Sequence, residues 1–235
     1  MYNSMKPGGG GEMQPYVPKG NGDKSGEYTD KPYESFDHYS RRVNAKIKRK
    51  DFLENNDCTA KSLSQVLTID EINAVTLYSN YKVGTLLNKK IRDKTMSEED
   101  EIFCNHLETA IRKNCIKQDV RVYRGISVPR EIYETKFWLP YIQNRAIIGS
   151  RICSTSRSLR RALQGTLSKE SGNVGIIFVC DIEKGRNALP IEDIAIDPSE
   201  QEVLLSSPMY FINNIREDTI KGKKIIRIDI SLARY

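Results

Sequence analysis

At Val120-Arg121-Val122-Tyr123-Arg124-Gly125 the spacing of apolar residues switches to a period of two, and this switch divides the chain. Upstream the patterns are helical. Phe36, Tyr39, Val43 and Ile47 form one stripe, which predicts a helix over 33–53. Thr68-Ile69-Asp70-Glu71 reads as a capping box, starting a helix that runs through Ile72, Val75 and Leu77. Tyr78, Tyr81 and the run 83–91 predict a second helix close behind. Ser97 caps a third over 98–113, whose acidic start and basic end both suit the helix dipole. Downstream, helices are expected at 130–144, opened by Pro129, and around 159–163. Strands are expected at 174–182, 201–205, 209–213 and 224–232. A single long buried run, 174–182, is too little for a doubly wound parallel sheet. The expected fold class is therefore α+β: a helical N-terminal half packed on a split, mainly antiparallel β core.

Residues 1–32 hold Gly8 to Gly11 and almost no aliphatic side chains, so they cannot bury enough surface to offset their ordering entropy. They read as a disordered leader, followed by one domain over 33–235, with a helical lobe at 33–118 and a β-rich core at 119–235. No Gly-Lys-Ser or Gly-Lys-Thr closes the glycine run, so it is not a phosphate loop. Positions 1–50 carry ten Lys or Arg against six Asp or Glu, a surplus of four out of a net charge of +6. The body is thus close to neutral, which makes a nucleic-acid partner the weaker expectation. The basic residues Arg41, Arg42, Lys46 and Lys48 to Lys50 read as a solvated helix face.

Five scattered cysteines without a Cys-x-x-Cys suggest neither a disulfide framework nor a zinc site, and point to a reducing compartment. With only His38 and His106 present, histidine-based metal sites and nucleophile pairs have few candidates, which leaves carboxylates, arginine and hydroxyls to carry any chemistry, with no metal expected. Neither a membrane span nor the apolar core of a signal peptide is found.

Within that inventory, Asp197-Pro198-Ser199-Glu200-Gln201-Glu202-Val203-Leu204-Leu205 stands out as a turn leading two acids into an apolar strand. On an extended chain residues i and i+2 face one side, so Glu200 and Glu202 are expected together there. Such a pair is common on solvated strand edges. It also suits chemistry in which one carboxylate stabilises positive charge while its neighbour handles the incoming group. Two further features precede it. Arg124 stands beside Gly125 on the first strand, and Ser154-Thr155-Ser156 follows 30 residues later, 46 before Glu200. Singly, these read as a surface arginine and a polar strand.

In that order and spacing, the three sets form the arginine-serine-glutamate pattern, and the chain resembles the mono-ADP-ribosyltransferases of the cholera-toxin and vertebrate ecto-enzyme type. The resemblance runs from about Thr68 to Leu232 and includes Tyr81 and the block 175–211. One position departs from it: Ile152 stands where an aromatic residue is often found. The resemblance implies NAD as substrate, transfer of ADP-ribose to an acceptor protein of a host cell, and delivery as a bacterial effector, with a phage enzyme as the other setting. It implies Glu202 as the catalytic acid residue, Ser154 as its holder, Thr155 and Tyr81 beside the dinucleotide, Arg124 on a phosphate, and Gly125 presenting backbone to nicotinamide. It also implies Glu200 as the group that selects arginine, 192–199 as the loop that meets the acceptor, and 157–172 as a mobile flap. Transfer to threonine, asparagine or nucleic acid, hydrolysis of NAD alone, and a non-catalytic binding module remain the other readings.

Overall fold

The computed structural model describes residues 49–166, 172–220 and 223–233; the expected leader and most of the helix expected at 33–53 lie outside the described residues. The described chain opens with helices α1 (Arg49–Asn55), α2 (Ala60–Val66), α3 (Ile69–Tyr78), α4 (Tyr81–Asp93) and α5 (Glu98–Arg112). Their starts are set by side chains that satisfy the free N–H groups of the first turn. The Thr68 hydroxyl accepts from the Glu71 amide at 3.2 Å, while Oε2 of Glu71 accepts from the Thr68 amide at 2.8 Å. Ser97 and Asp100 repeat this box at the head of α5. Asn80 caps α4, and Gly84 lets that helix begin against the end of α3, where a Cβ would lie 2.8 Å from the Tyr78 carbonyl oxygen.

Eight strands follow in one sheet: β1 (Val120–Pro129), β2 (Ile147–Ile148), β3 (Ile152–Ser156), β4 (Asn173–Ile182), β5 (Leu189–Pro190), β6 (Glu202–Ser206), β7 (Met209–Ile220) and β8 (Lys223–Leu232). Their spatial order is β2-β7-β8-β4-β1-β3-β6-β5. All neighbours are antiparallel except β4 and β8. Ile176, Ile177, Val179 and Ile182 of β4 are all buried, so both faces of this central strand are covered and its sequence is a run rather than an alternation. The expected α+β class, with helices first and a largely antiparallel sheet, is what the chain adopts. The split lies between β1 and β3, whose register is the single pair Tyr123 and Ser156.

Three elements depart from the expected pattern. The helix after Pro129 is α6 (Arg130–Tyr133), a π turn at Glu134–Trp138, and α7 (Leu139–Ile142). Strand β7 runs seven residues past the expected 209–213, through Asn214 to Thr219, where Ile215 is the one apolar side chain packed on the core and the backbone ladder to β8 holds the rest. A bulge between Ile212 and Asn214 resets its pleat. The remaining helix, α8 (Leu159–Gln164), crosses β1. The buried side chains of α3 and α5 pack on Ile152, Leu189, Ile191 and Leu204, which fixes the helical lobe against β3, β5 and β6.

Candidate active site

Strands β1, β3 and β6 lie side by side, and register alone brings the three motifs together. Tyr123, next to Arg124, pairs with Ser156, and Ser156 pairs with Glu202. A cavity of about 510 Å³ opens over this junction, between the strands, α8 and the corner of α3 and α4. Arg124, Gly125, Ser154, Thr155, Glu200, Glu202 and Tyr81 all line it.

Glu202 begins β6 and is 6% exposed. The Ser154 hydroxyl donates to its Oε1 in a close hydrogen bond. Burial raises the Glu202 pKa to about 7; the Ser154 bond and Arg124 pull it down, while Glu200 pushes it up. This carboxyl group is therefore poised between charge states near neutrality, and its hydrogen bond fixes which way it points.

The expectation that both acids share one extended strand is corrected. Glu200 ends a 3-10 turn, Pro198–Glu200, and Gln201 takes a left-handed conformation with φ of 50° before β6 starts. The cause is local: Oδ1 of Asp197 accepts from the Ser199 amide at 2.9 Å, and Pro198 suits the first position of such a turn. Both acids still face the cavity, but a turn rather than a pleat puts Glu200 there. The Ser156 hydroxyl donates to the Glu200 carbonyl at 2.5 Å, and Arg161 of α8 grips the same turn through Ser199 and, at 3.3 Å, through Oδ2 of Asp197. Burial and Asp197 raise the Glu200 pKa, with Arg161 opposing them.

On β1, Nη1 of Arg124 donates to the Cys153 sulfur at 3.0 Å and to the Ser154 carbonyl at 3.1 Å. Among the described residues the guanidinium bonds through Nη1 alone, so its fork has donors to spare. Thr155 uses its hydroxyl on the Val203 carbonyl at 2.7 Å, tying β3 to β6. Gly125 has a reason in packing: a Cβ there would lie 1.7 Å from the Ala162 carbonyl oxygen of α8. Ile152, the departing position, is fully buried against the helical lobe.

The expected boundaries of flap and acceptor loop are corrected at their near ends. Arg157 is 5% exposed, bound to the fully buried Glu192, and its guanidinium lies 3.7 Å over the Phe52 ring. Neither Arg157 nor Glu192 is thus a surface residue of a moving loop. Ile196 and Ser199 further along are exposed.

Sequence reasoning did not single out Tyr78, Thr85, Asn88 and Arg161, which also line the cavity. The Tyr78 hydroxyl accepts from Nδ2 of Asn88 at 2.9 Å. A signal existed in the polar and aromatic stripe Tyr78, Tyr81, Thr85 and Asn88 at helical spacing. Among the described residues no group of three or more His, Cys, Asp or Glu side chains is placed to hold a metal ion, and no helix is long and apolar enough to cross a membrane.

Comparison with known proteins gives the family and the fold. The family described as ADP-ribosyltransferase exoenzyme matches residues 54–234. Among solved structures, the chain is similar to Plx2a, an ADP-ribosyltransferase toxin from Paenibacillus larvae, at 18% identity and a TM-score of 0.64 over 80% of this chain and 98% of that one. It is similar to C3stau2 from S. aureus, solved with NAD, at 16% identity and a TM-score of 0.59 over 80% and 97%. It is also similar to the ADP-ribosylating toxin BECa of a binary enterotoxin of C. perfringens, solved with NADH, at 19% identity and a TM-score of 0.59 over 78% and 47%. At these identities the structural likeness speaks for the fold. No curated protein gives a match.

Proposed function

Because this chain belongs to the ADP-ribosyltransferase exoenzyme family, whose enzymes move ADP-ribose from NAD to proteins, we propose that its acceptor is an arginine side chain of a host protein and that the Glu-x-Glu cavity is where transfer occurs. The observation that carries this reading is the Ser154–Glu202 hydrogen bond facing the same cavity as Arg124 and Glu200.

The reaction breaks the bond between nicotinamide and ribose. Nicotinamide leaves with the electron pair, and positive charge grows on the sugar ring as in glycoside hydrolysis. Glu202, ionised and held by Ser154, accepts from the ribose hydroxyls and stabilises that charge where little water screens it. Arg124 offers its unused donors to a phosphate of the dinucleotide, and Tyr81 stands exposed at the rim. Arginine reaches the anomeric carbon on the side of Glu200, which orients the guanidinium and takes the proton released when the new C–N bond forms. The 3-10 turn suits this role, because it sets Glu200 nearer the mouth than Glu202, which is the more buried of the two. The toxins among the similar structures support delivery into a host cell as the setting.

The test uses adenylate-labelled NAD with polyarginine and host lysate. Glu202→Ala should abolish both NAD hydrolysis and transfer, a loss on the order of a thousandfold. Glu200→Gln should keep hydrolysis and lose transfer to arginine. Normal labelling of lysate protein by Glu200→Gln, with polyarginine left unlabelled, would show that the acceptor is not arginine, and mass spectrometry of the labelled lysate protein then identifies the residue.

A further inference from the structure

Behind the junction of β1 and β3 lies a second cavity, of about 310 Å³, on the other side of Arg124. Arg124, Tyr123 and Thr155 line both spaces, and because β1 and β3 share a single register pair, the strands part there and the Arg124 side chain spans the gap to Cys153 and Ser154. The Arg124 side chain thus borders both cavities.

The two cavities differ in chemistry. The second is walled by apolar side chains of four strands and a helical turn, among them Val122, Ile126, Phe137, Phe178, Leu205 and Ile230. Its polar side chains include the Arg124 guanidinium, the Tyr210 hydroxyl and, at the exposed mouth beside Ile148, Lys136. No Asp or Glu lines it. Apolar spaces of half this size stay dry and take up apolar molecules, and small-molecule sites begin at roughly 300 Å³.

We propose that this cavity binds a compact apolar anion of the medium-chain carboxylate class, its tail against Phe137 and Phe178 and its carboxylate on the unused N–H edge of Arg124. A planar guanidinium with unused donors matches a carboxylate through paired hydrogen bonds, and Tyr210 supplies a further donor at the same end. An amine would meet two cations and no acid. An alcohol would gain the tail contacts without the charge. The site stands on its own geometry; its consequence for catalysis rests on the transferase reading, since a carboxylate on Arg124 competes with the phosphates of NAD for that side chain.

Octanoate, octanol and octylammonium, titrated calorimetrically into the full chain, test the site directly. Octanoate should bind saturably, octanol about tenfold more weakly, and octylammonium not at all. Ile126→Trp fills the cavity and should abolish octanoate binding. Tyr210→Phe and Lys136→Glu, neither of which alters the packed core greatly, should each weaken it several-fold. In NAD hydrolysis, octanoate should raise KM with kcat unchanged. Equal binding of acid and amine, or octanoate binding untouched by both Ile126→Trp and Tyr210→Phe, would overturn the proposal, as would no saturable binding of octanoate. Saturable octanoate binding in a chain that turns over no NAD would count against the transferase reading and leave the site standing.

Discussion

A carboxyl group whose pKa is lifted from 4.5 to about 7, as burial does for Glu202, changes charge near neutral pH, which bears on activity and on stability. On the proposed role of Glu202 the carboxylate is the active form, so kcat/KM for NAD hydrolysis should climb with pH through about 7 and level above it, measured on the free enzyme's profile. Stability moves the other way. The folded state holds the proton more tightly than the unfolded chain, so this contribution is full below about 4.5 and is lost as pH rises through about 7. The shift corresponds to roughly 3 kcal/mol. Glu202→Gln, neutral at every pH, should therefore melt well above the wild type at pH 8 and lose that advantage below pH 4.5; equal melting points at pH 8 would show that burial does not shift the group. Arg161 makes a separate prediction at this scale. It holds Asp197 and Ser199 rather than either acid, so Arg161→Ala should loosen the turn and lower the ratio of arginine transfer to NAD hydrolysis about tenfold, with hydrolysis itself kept.

Helix α8 is clamped on β1 by two glycines that face each other. A Cβ on Gly125 would lie 1.7 Å from the Ala162 carbonyl oxygen, and one on Gly165 would lie 2.2 Å from the Gly125 carbonyl oxygen. Gly125→Ala must push the helix off the strand, at a cost of about 3 kcal/mol or more. For a domain of this size that is roughly a 10 °C fall in Tm, which differential scanning calorimetry would read. This crossing also shows what a sequence can and cannot disclose. The capping boxes at Thr68 and the cap at Ser97 were legible, because their partners lie within three residues. Arg124, Ser-Thr-Ser and the two acids were legible as a set, because strand register places them and each strand announces itself by its period. The extra length of β7 was not, since Ile215 is the one apolar residue among Asn214 to Thr219 and the ladder to β8 holds the polar rest. Nor was the buried pair of Arg157 and Glu192, whose 35-residue separation gives no local signal: two charged residues there read as loop surface until the fold closes around them. The turn at Glu200 was concealed by Gln201, whose left-handed conformation no pattern of apolar residues encodes.

At the scale of the molecule, the surplus positive charge of the first fifty residues falls at 33–50, six Lys or Arg against two Asp or Glu, while 1–32 hold four of each, and truncation tests the two stretches apart. The residues before 33 hold almost no aliphatic side chains, whereas α1 belongs to the described fold. Phe52 and Leu53 are 1% and 3% exposed, Phe52 lies under the Arg157 guanidinium, and Arg49 reaches Glu192 and Asp193. A chain beginning at residue 33 should therefore hydrolyse NAD with kcat/KM within about twofold of the whole chain, and its protein labelling should persist. A chain beginning at residue 54, where the family match starts, should not behave so. It loses two buried side chains worth about 2 kcal/mol each and leaves Arg157 and Glu192 with fewer partners in the interior. Its Tm should fall by roughly 10 °C or more, with NAD turnover falling alongside at 37 °C but partly recovered in the cold. If the shorter chain instead melts with the longer one, α1 is dispensable and the tie from Arg49 to Glu192 does not support the site. If the longer one loses protein labelling while still hydrolysing NAD, residues 1–32, with four basic and four acidic side chains, recruit the acceptor, and the rest of the chain alone does not choose it.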